Sequence, residues 1–246
     1  MTYGIVVPVH NEGLHLEESV TSFLGSLPQG VSIDEFILVE NGSKDNTLDV
    51  CNQLARSFPT QVRVLTLPRG SYGEAIKRGM LECHCTHLSI LECDFLDAGF
   101  VAESMKLFRS DAAQFIVASK RHPDSIDRRP LKRRILTALY NFVFLRVLLG
   151  YPGTDTHGLK SIEISLAKKL CELAVTSDEV FQTEIVLIAW KMGIKIVERP
   201  IQIIETRPAP VSVRKRLPKV LSTVRELKQS LKRFKDCHLN DHISRG

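Results

Sequence analysis

Five short apolar runs in the first half of this chain alternate with stretches of helical spacing, and that alternation leaves few folds open. The runs are YGIVVPV, EFILVEN, VRVLTL, HLSILE and FIVASK, and helical stretches begin near Leu14, Asp45, Tyr72 and Ala98. Strand, helix, strand, repeated, is the pattern of a mostly parallel sheet with crossover helices on its faces. In the first helix Leu16, Val20, Phe23, Leu24 and Leu27 share one face, and in the second Leu48, Cys51, Leu54, Ala55 and Phe58 do, so these side chains are expected in the core. At 246 residues, 43% of them hydrophobic, the chain is long enough to bury such a sheet. The expected organisation is one large α/β unit over residues 1–206 and a basic segment over 207–246 that contains an amphipathic helix.

An open parallel sheet takes its ligand at the carboxyl ends of the strands. The five runs hand over to HNE, ENGSKDNT, RGSYGEA, ECDFLDAG and SKRHPDS, all polar and several acidic. Turn chemistry accounts for any one of these exits; five together point to a shared site. The fourth places Glu92, Asp94 and Asp97 where carboxylates suit a hard divalent cation, Mg or Mn, of the kind that bridges diphosphate oxygens. Neither GxxxxGK[ST] nor GxGxxG occurs, so a P-loop and a dinucleotide fingerprint are excluded. Asp97 stands just before a helix and reads as its N-cap; Asp45 and Thr47 read as helix-start residues, and Cys93 as a small buried filler.

Beyond Asp124 come a basic loop, IDRRPLKRR, and a long apolar segment, ILTALYNFVFLRVLLGY. That segment is expected to be a core helix, although its lack of a polar face also suits a helix lying on a membrane. A loop with TDTHGLK, two helical stretches, a strand-like IKIVERPIQII and a basic tail follow. Glu184 lies among apolar residues of the second helical stretch, where a structural pairing and a site role both stay open. From Arg207 to Lys235 ten basic residues face one acid, Glu226. Val220, Val224, Leu227 and Leu231 recur there at helical spacing, which favours an anionic membrane surface or a membrane-protein partner. Nucleic acid is disfavoured, because Phe234 is the tail's one aromatic residue. No run approaches the roughly 20 apolar residues of a membrane span, and YGIVVPV has no basic flank or cleavage site; a cytoplasmic, peripherally membrane-associated chain with reduced thiols is expected. ECHCTH groups Cys83, His84, Cys85 and His87, but its thiols stand closer together than in zinc motifs, and packing is the expected role.

VVPVHNE, VENGSKDNT, RGSYGEAIKRGM and ECDFLDAG, in that order and spacing, resemble the nucleotide-sugar domain of family 2 glycosyltransferases, whose fold is GT-A, a Rossmann-like sheet flanked by helices. SKRHPDS, the basic loop, TDTHGLK, FQTEIVLIAWKMGIKIVERPI and RPAPVS extend the resemblance to polyprenyl-phosphate sugar synthases of the dolichyl-phosphate mannose synthase type. The resemblance implies an inverting transfer of a sugar from a nucleoside-diphosphate sugar to a polyprenyl phosphate, with Mg or Mn. It implies that Pro8, Asn11, Glu12, Glu40, Gly73, Glu92, Asp94 and Lys120 bind the nucleotide sugar and that Glu92 and Asp94 hold the metal. Asp94, Arg121, Arg134 and Asp155 take catalytic positions, and Arg134, Arg207 and Lys215 meet the lipid phosphate. Three departures stand out: Glu40-Asn41 replaces the usual Asp-Asp, Glu92 replaces the first aspartate of DxD, and Leu96 stands where a polar residue often follows.

Expulsion of a diphosphate from an anomeric carbon is eased by positive charge at the leaving group. A phosphate acceptor arrives largely ionised, since its second pKa is about 6, and needs no strong base. A hydroxyl acceptor requires one, with Asp178, Glu179 or Glu184 as candidates. A non-catalytic relative that binds nucleotide sugar is the remaining alternative.

Overall fold

The computed structural model describes residues 1–128, 131, 134–135, 138–139, 142–203 and 223–234. Strands β1 (Tyr3–Val9), β2 (Glu35–Asn41), β3 (Val62–Leu67) and β4 (His87–Ile90) pair in parallel. With β5 (Phe115–Ser119), β7 (Lys160–Glu163) and β8 (Ile196–Pro200) they form a seven-stranded sheet in the order β3-β2-β1-β4-β7-β5-β8. The short strands β6 (Ile126–Asp127) and β9 (Gln202–Ile203) pair separately.

Two-residue periodicity sorts the strand side chains onto two faces, and both are covered. Val6, Ile37, Val39, Leu88, Ile90 and Val117 join the core built with α3 (Tyr72–Glu82), α5 (Ile164–Leu173) and α6 (Phe181–Lys191). Ile5, Val7, Phe36, Leu38, Ile116 and Ala118 join the core under α1 (Leu16–Gly25), α2 (Thr47–Ser57) and α4 (Ala98–Arg109). Burial on both faces is why these strands read as continuous apolar runs. In α2, Leu48 is exposed and Val50 takes a buried place, a one-face shift that the expected stripe did not contain.

β7 runs antiparallel to both neighbours, β4 and β5. TDTHGLK, expected as a loop throughout, therefore ends by starting this strand at Lys160. Hydroxyls hold the register: Ser161 stands opposite Ser89, 2.6 Å apart at Oγ, with Tyr3 OH 2.8 Å from Ser89 and Ser161 donating to Ser104 at 2.9 Å. A buried chain in which each hydroxyl satisfies the next penalises a slip of the strand.

Two expectations are overturned. The segment after the basic loop is no plain core helix. Its wide-turned π-helical part, Phe142–Leu148, buries Phe144 and Leu145, while Ile135, Leu139, Phe142, Val143 and Val147 are exposed, as is Leu131 of the basic loop. Conversely, α7 (residues 223–234) turns its apolar face inward: Val224, Leu227 and Phe234 are buried in the core and Leu231 packs against it. Of the residues expected to meet a membrane, Val224, Leu227 and Leu231 are thus occupied by the protein itself, since a 3.6-residue apolar stripe serves either surface equally, and Val220 lies outside the described residues. The boundary at 206/207, Arg207 and Lys215 lie outside the described residues. No helix among the described residues is long and apolar enough to cross a membrane.

Candidate active site

The exits of β1 to β4 meet in one open cleft of 570 Å³, whose lining does not include the exit of β5. Pro8, Val9, His10 and Glu12 line it from β1, Asn41 from β2, Gly70 and Tyr72 from the approach to α3, Glu92, Cys93 and Asp94 from β4, and His157, Glu179 and Gln182 from the far side. Backbone constraints hold the wall in shape. Asn11 adopts φ 53°, a left-handed conformation that asparagine tolerates, and its Oδ1 accepts from Lys44 N at 2.8 Å. Glu40 accepts from Ser43 N at 2.5 Å, and Asn41 Oδ1 from Ser71 N at 2.7 Å, tying the second exit to the third. His10 Nδ1 lies 2.7 Å from Asn41 O.

At the fourth exit the chain makes a tight turn closed by Phe95 N donating to Glu92 O at 2.8 Å. The turn puts Glu92 and Asp94 on the cleft and buries Cys93 in the core behind them. Asp97 then caps α4, accepting from Phe100 N at 2.9 Å. Glu92 is half-buried, and desolvation, with Asp94 and Asp155 nearby, holds its carboxyl above the ordinary range even though Lys120 and Lys160 oppose the shift. Two carboxylates at a cleft wall fit a hard divalent cation that completes its shell with substrate oxygens and water. No third His, Cys, Asp or Glu donor among the described residues closes a mutual 4.8 Å cluster with them.

A polar chain backs this wall. Lys160, fully buried on β7, donates to Gly158 O at 2.9 Å and to Gln182 Oε1; Gln182 Nε2 donates to Tyr72 OH at 2.7 Å. Burial pulls the Lys160 ammonium down to about 7 against the pull of Asp155 and Glu92. Burial and the charge of Glu92 push the Tyr72 hydroxyl upward. Asp155 is buried, its Oδ1 accepting from Thr156 N at 2.9 Å and His157 N at 3.0 Å. Thr154 is anchored to Glu198 by two 2.6 Å bonds, which fixes the loop that carries Asp155.

Of the residues singled out in the sequence, Pro8, Glu12, Glu92 and Asp94 line the cleft. Lys120 and Asp155 act on Glu92 by charge. Asn11 and Glu40 shape the loops. Gly73 does not line the cleft: a Cβ there would stand 2.4 Å from Asp178 O, so its role is close packing under the loop before α6. Arg121 is exposed and Arg134 Nε faces Asp127 at 3.9 Å. Sequence reasoning passed over Asn41, Tyr72, His157, Lys160 and Gln182.

The three candidate bases separate by geometry. Glu184 is fully buried and accepts from Val175 N and Thr176 N at 2.9 Å, from Thr176 Oγ1 at 2.5 Å and from Ser230 Oγ on α7. Its oxygens are consumed by structure. Asp178 accepts from Val180 N at 2.9 Å at the start of α6, and Glu179 reaches the cleft.

Comparison with known proteins follows the same lines. The model of glycosyl transferase family 2 matches residues 4–170, more than half of the chain. The dolichyl-phosphate beta-glucosyltransferase ALG5A of Trichomonas vaginalis is 23% identical over 217 residues, 81% of this chain and 64% of the relative. A second from that organism, ALG5C, is 22% identical over 213 residues, 80% of this chain and 62% of its own. The chain thus spans less than two thirds of the length of these relatives. Among solved structures, glucosyl-3-phosphoglycerate synthase from Mycobacterium tuberculosis, in complex with Mn2+, UDP and glucosyl-3-phosphoglycerate, superposes with a TM-score of 0.65 at 19% identity, covering 95% of this chain and 79% of that one. At that identity the likeness establishes the GT-A fold.

Proposed function

The chain belongs to glycosyl transferase family 2, and we propose that it transfers a sugar, with inversion, from a nucleoside-diphosphate sugar to a polyprenyl phosphate at a membrane surface. The observation that carries the donor half is the cleft itself, with Glu92 and Asp94 on one wall and the Pro8–Glu12 exit on the other. The nucleoside packs along that exit and Asn41. Glu92 and Asp94 would hold Mg or Mn, which would supply positive charge at the diphosphate leaving group. Mn2+ and UDP together in the complex of the structural neighbour support this assignment. Lys120 adds a second cation beside Glu92. Lys160, Gln182 and Tyr72 keep that wall rigid without themselves needing to move a proton.

The acceptor half rests on the exposed apolar residues Leu131, Ile135, Leu139, Phe142, Val143 and Val147, together with Arg134 in the same segment. Six large apolar side chains in water are costly unless another surface covers them. A membrane that also holds the isoprenoid is the proposed cover, with Arg134 positioned for an anionic headgroup or acceptor phosphate. The two dolichyl-phosphate relatives support this acceptor class. A second reading, transfer to a hydroxyl of a small molecule, is favoured by Glu179, which brings a carboxylate to the cleft.

Release of nucleoside diphosphate from a panel of UDP- and GDP-sugars, with and without Mn2+ and polyprenyl phosphate in detergent, tests both. Release that needs metal and lipid, with sugar label entering the organic phase, is the expected result. Metal-dependent release indifferent to lipid transfers the acceptor to a hydroxyl compound, with Glu179→Gln then abolishing turnover. Silence across the panel refutes catalysis.

A further inference from the structure

The cleft uses the carboxyl ends of the strands; the amino end of the sheet holds a second group of metal-ligating side chains that the proposed reaction leaves unused. Cys83 and Cys85 lie between α3 and β4, and Glu35 opens β2. One oxygen of Glu35 and the two sulfurs lie within 4.8 Å of one another. Beneath them is Gly4 of β1, where a Cβ would stand 2.7 Å from Cys83 Sγ and 3.5 Å from Cys85 Sγ. Both thiols therefore converge on space that a larger residue would fill.

We propose that Cys83, Cys85 and Glu35 form a binding site for zinc or a similarly thiophilic divalent cation. Two sulfurs and a carboxylate oxygen are a ligand set zinc accepts, with water completing the shell; the exposed ring of His84, whose Nδ1 lies 3.3 Å from Glu35 Oε1, stands outside that cluster. The two oxygens of Glu35 divide the work. Oε1 is bound by Arg63 Nη2 at 2.7 Å, whereas Oε2, which accepts from His84 N at 2.9 Å, faces Cys85 Sγ at 4.0 Å. Arg63 thus orients the carboxylate from outside the ligand sphere. Charge closes as well: two thiolates and a carboxylate exceed a divalent cation by one negative charge, which the Arg63 guanidinium balances. A surface groove of 440 Å³ lined by Thr2, Glu35, Arg63, His84 and Cys85 gives an ion access. The thiol spacing alone hides such a site, because Glu35 arrives from a distant strand.

The test uses the full chain, reduced and stripped with a chelator, titrated with Co2+. The expected result is a thiolate-to-cobalt charge-transfer band that saturates at about one equivalent, is bleached by zinc and is lost in Cys83→Ser and Cys85→Ser. Glu35→Gln keeps the band but weakens binding by about 10- to 100-fold. The double variant Glu92→Gln/Asp94→Asn retains it, which separates this site from the cleft. Zinc at a hundredfold excess over its Kd raises Tm by about 5–10 °C. Should the serine variants fail to fold, alkylation of the wild-type thiols decides: zinc must protect two of them. No cobalt band, a band undiminished when both thiols are replaced, or thiols lost to a Cys83–Cys85 disulfide in the presence of zinc overturns the proposal.

Discussion

Glu92 and Glu184 are both drawn back from solvent, Glu92 half-buried at the cleft and Glu184 fully buried, and their surroundings differ. Glu184 is filled: two backbone N–H groups and two hydroxyls donate to it, and they join the loop at Val175–Thr176 to α7. Glu92 has no side-chain hydrogen bond among the described residues and shares its turn with another carboxylate. A buried carboxylate whose lone pairs are used up is a strut. One left open beside like charge awaits a ligand. The same residue type in the same sheet-and-helix framework thus does two jobs, distinguished chiefly by the donors around it.

The comparison breaks most visibly at the strut. Glu184→Ala leaves Val175 N and Thr176 N without their acceptor and is expected to cost roughly 3–5 kcal/mol. Thermal denaturation should show Tm lower by about 6–15 °C; a Tm within a degree of wild type would show that Glu184 is dispensable. Glu92→Gln should do the opposite. Stability holds or rises, because a charge disfavoured by burial is removed, while turnover falls about 100-fold, near 3 kcal/mol. Equal losses of stability in the two variants would erase the distinction.

A smaller effect sharpens it at a second filled site. Burial pushes the Tyr3 phenol up to about 12, although hydrogen bonds to Ser161, Ser89 and Ser104 oppose the shift. The folded state then holds the proton more tightly than the unfolded one, whose phenol titrates near 10. Its stabilisation is full below that pH and is lost as pH rises towards 12. Tyr3→Phe should cost about 1 kcal/mol at neutral pH and flatten the alkaline decline. Denaturant titrations at a series of alkaline pH values read this directly, and an unchanged slope would remove Tyr3 as its source.

Much of the fold was legible because its signal is local. The apolar runs, the starts of α3 and α4 and the Asp97 cap follow from residues within a few positions of each other. Pro8, Glu12, Glu92 and Asp94 were legible as strand exits, and the exits of an open sheet converge. Gln182, Tyr72 and Lys160 were not, since their chain joins residues as much as 110 apart in sequence. Glu35 with Cys83 and Cys85 was hidden for the same reason.

The two apolar stripes mark the division most sharply. By itself the sequence determined that this chain is a doubly covered α/β sheet with acidic residues at one strand exit, since hydrophobic period and strand order are written along the chain. It also determined that two later segments are apolar. Which of them the protein covers, only the tertiary structure decided. α7 lays Val224, Leu227 and Phe234 on the core, and the segment of Phe142 and Val147 keeps its apolar side outward. Burial is a property of what lies opposite a face, and the opposing surface is assembled from residues far away in the chain.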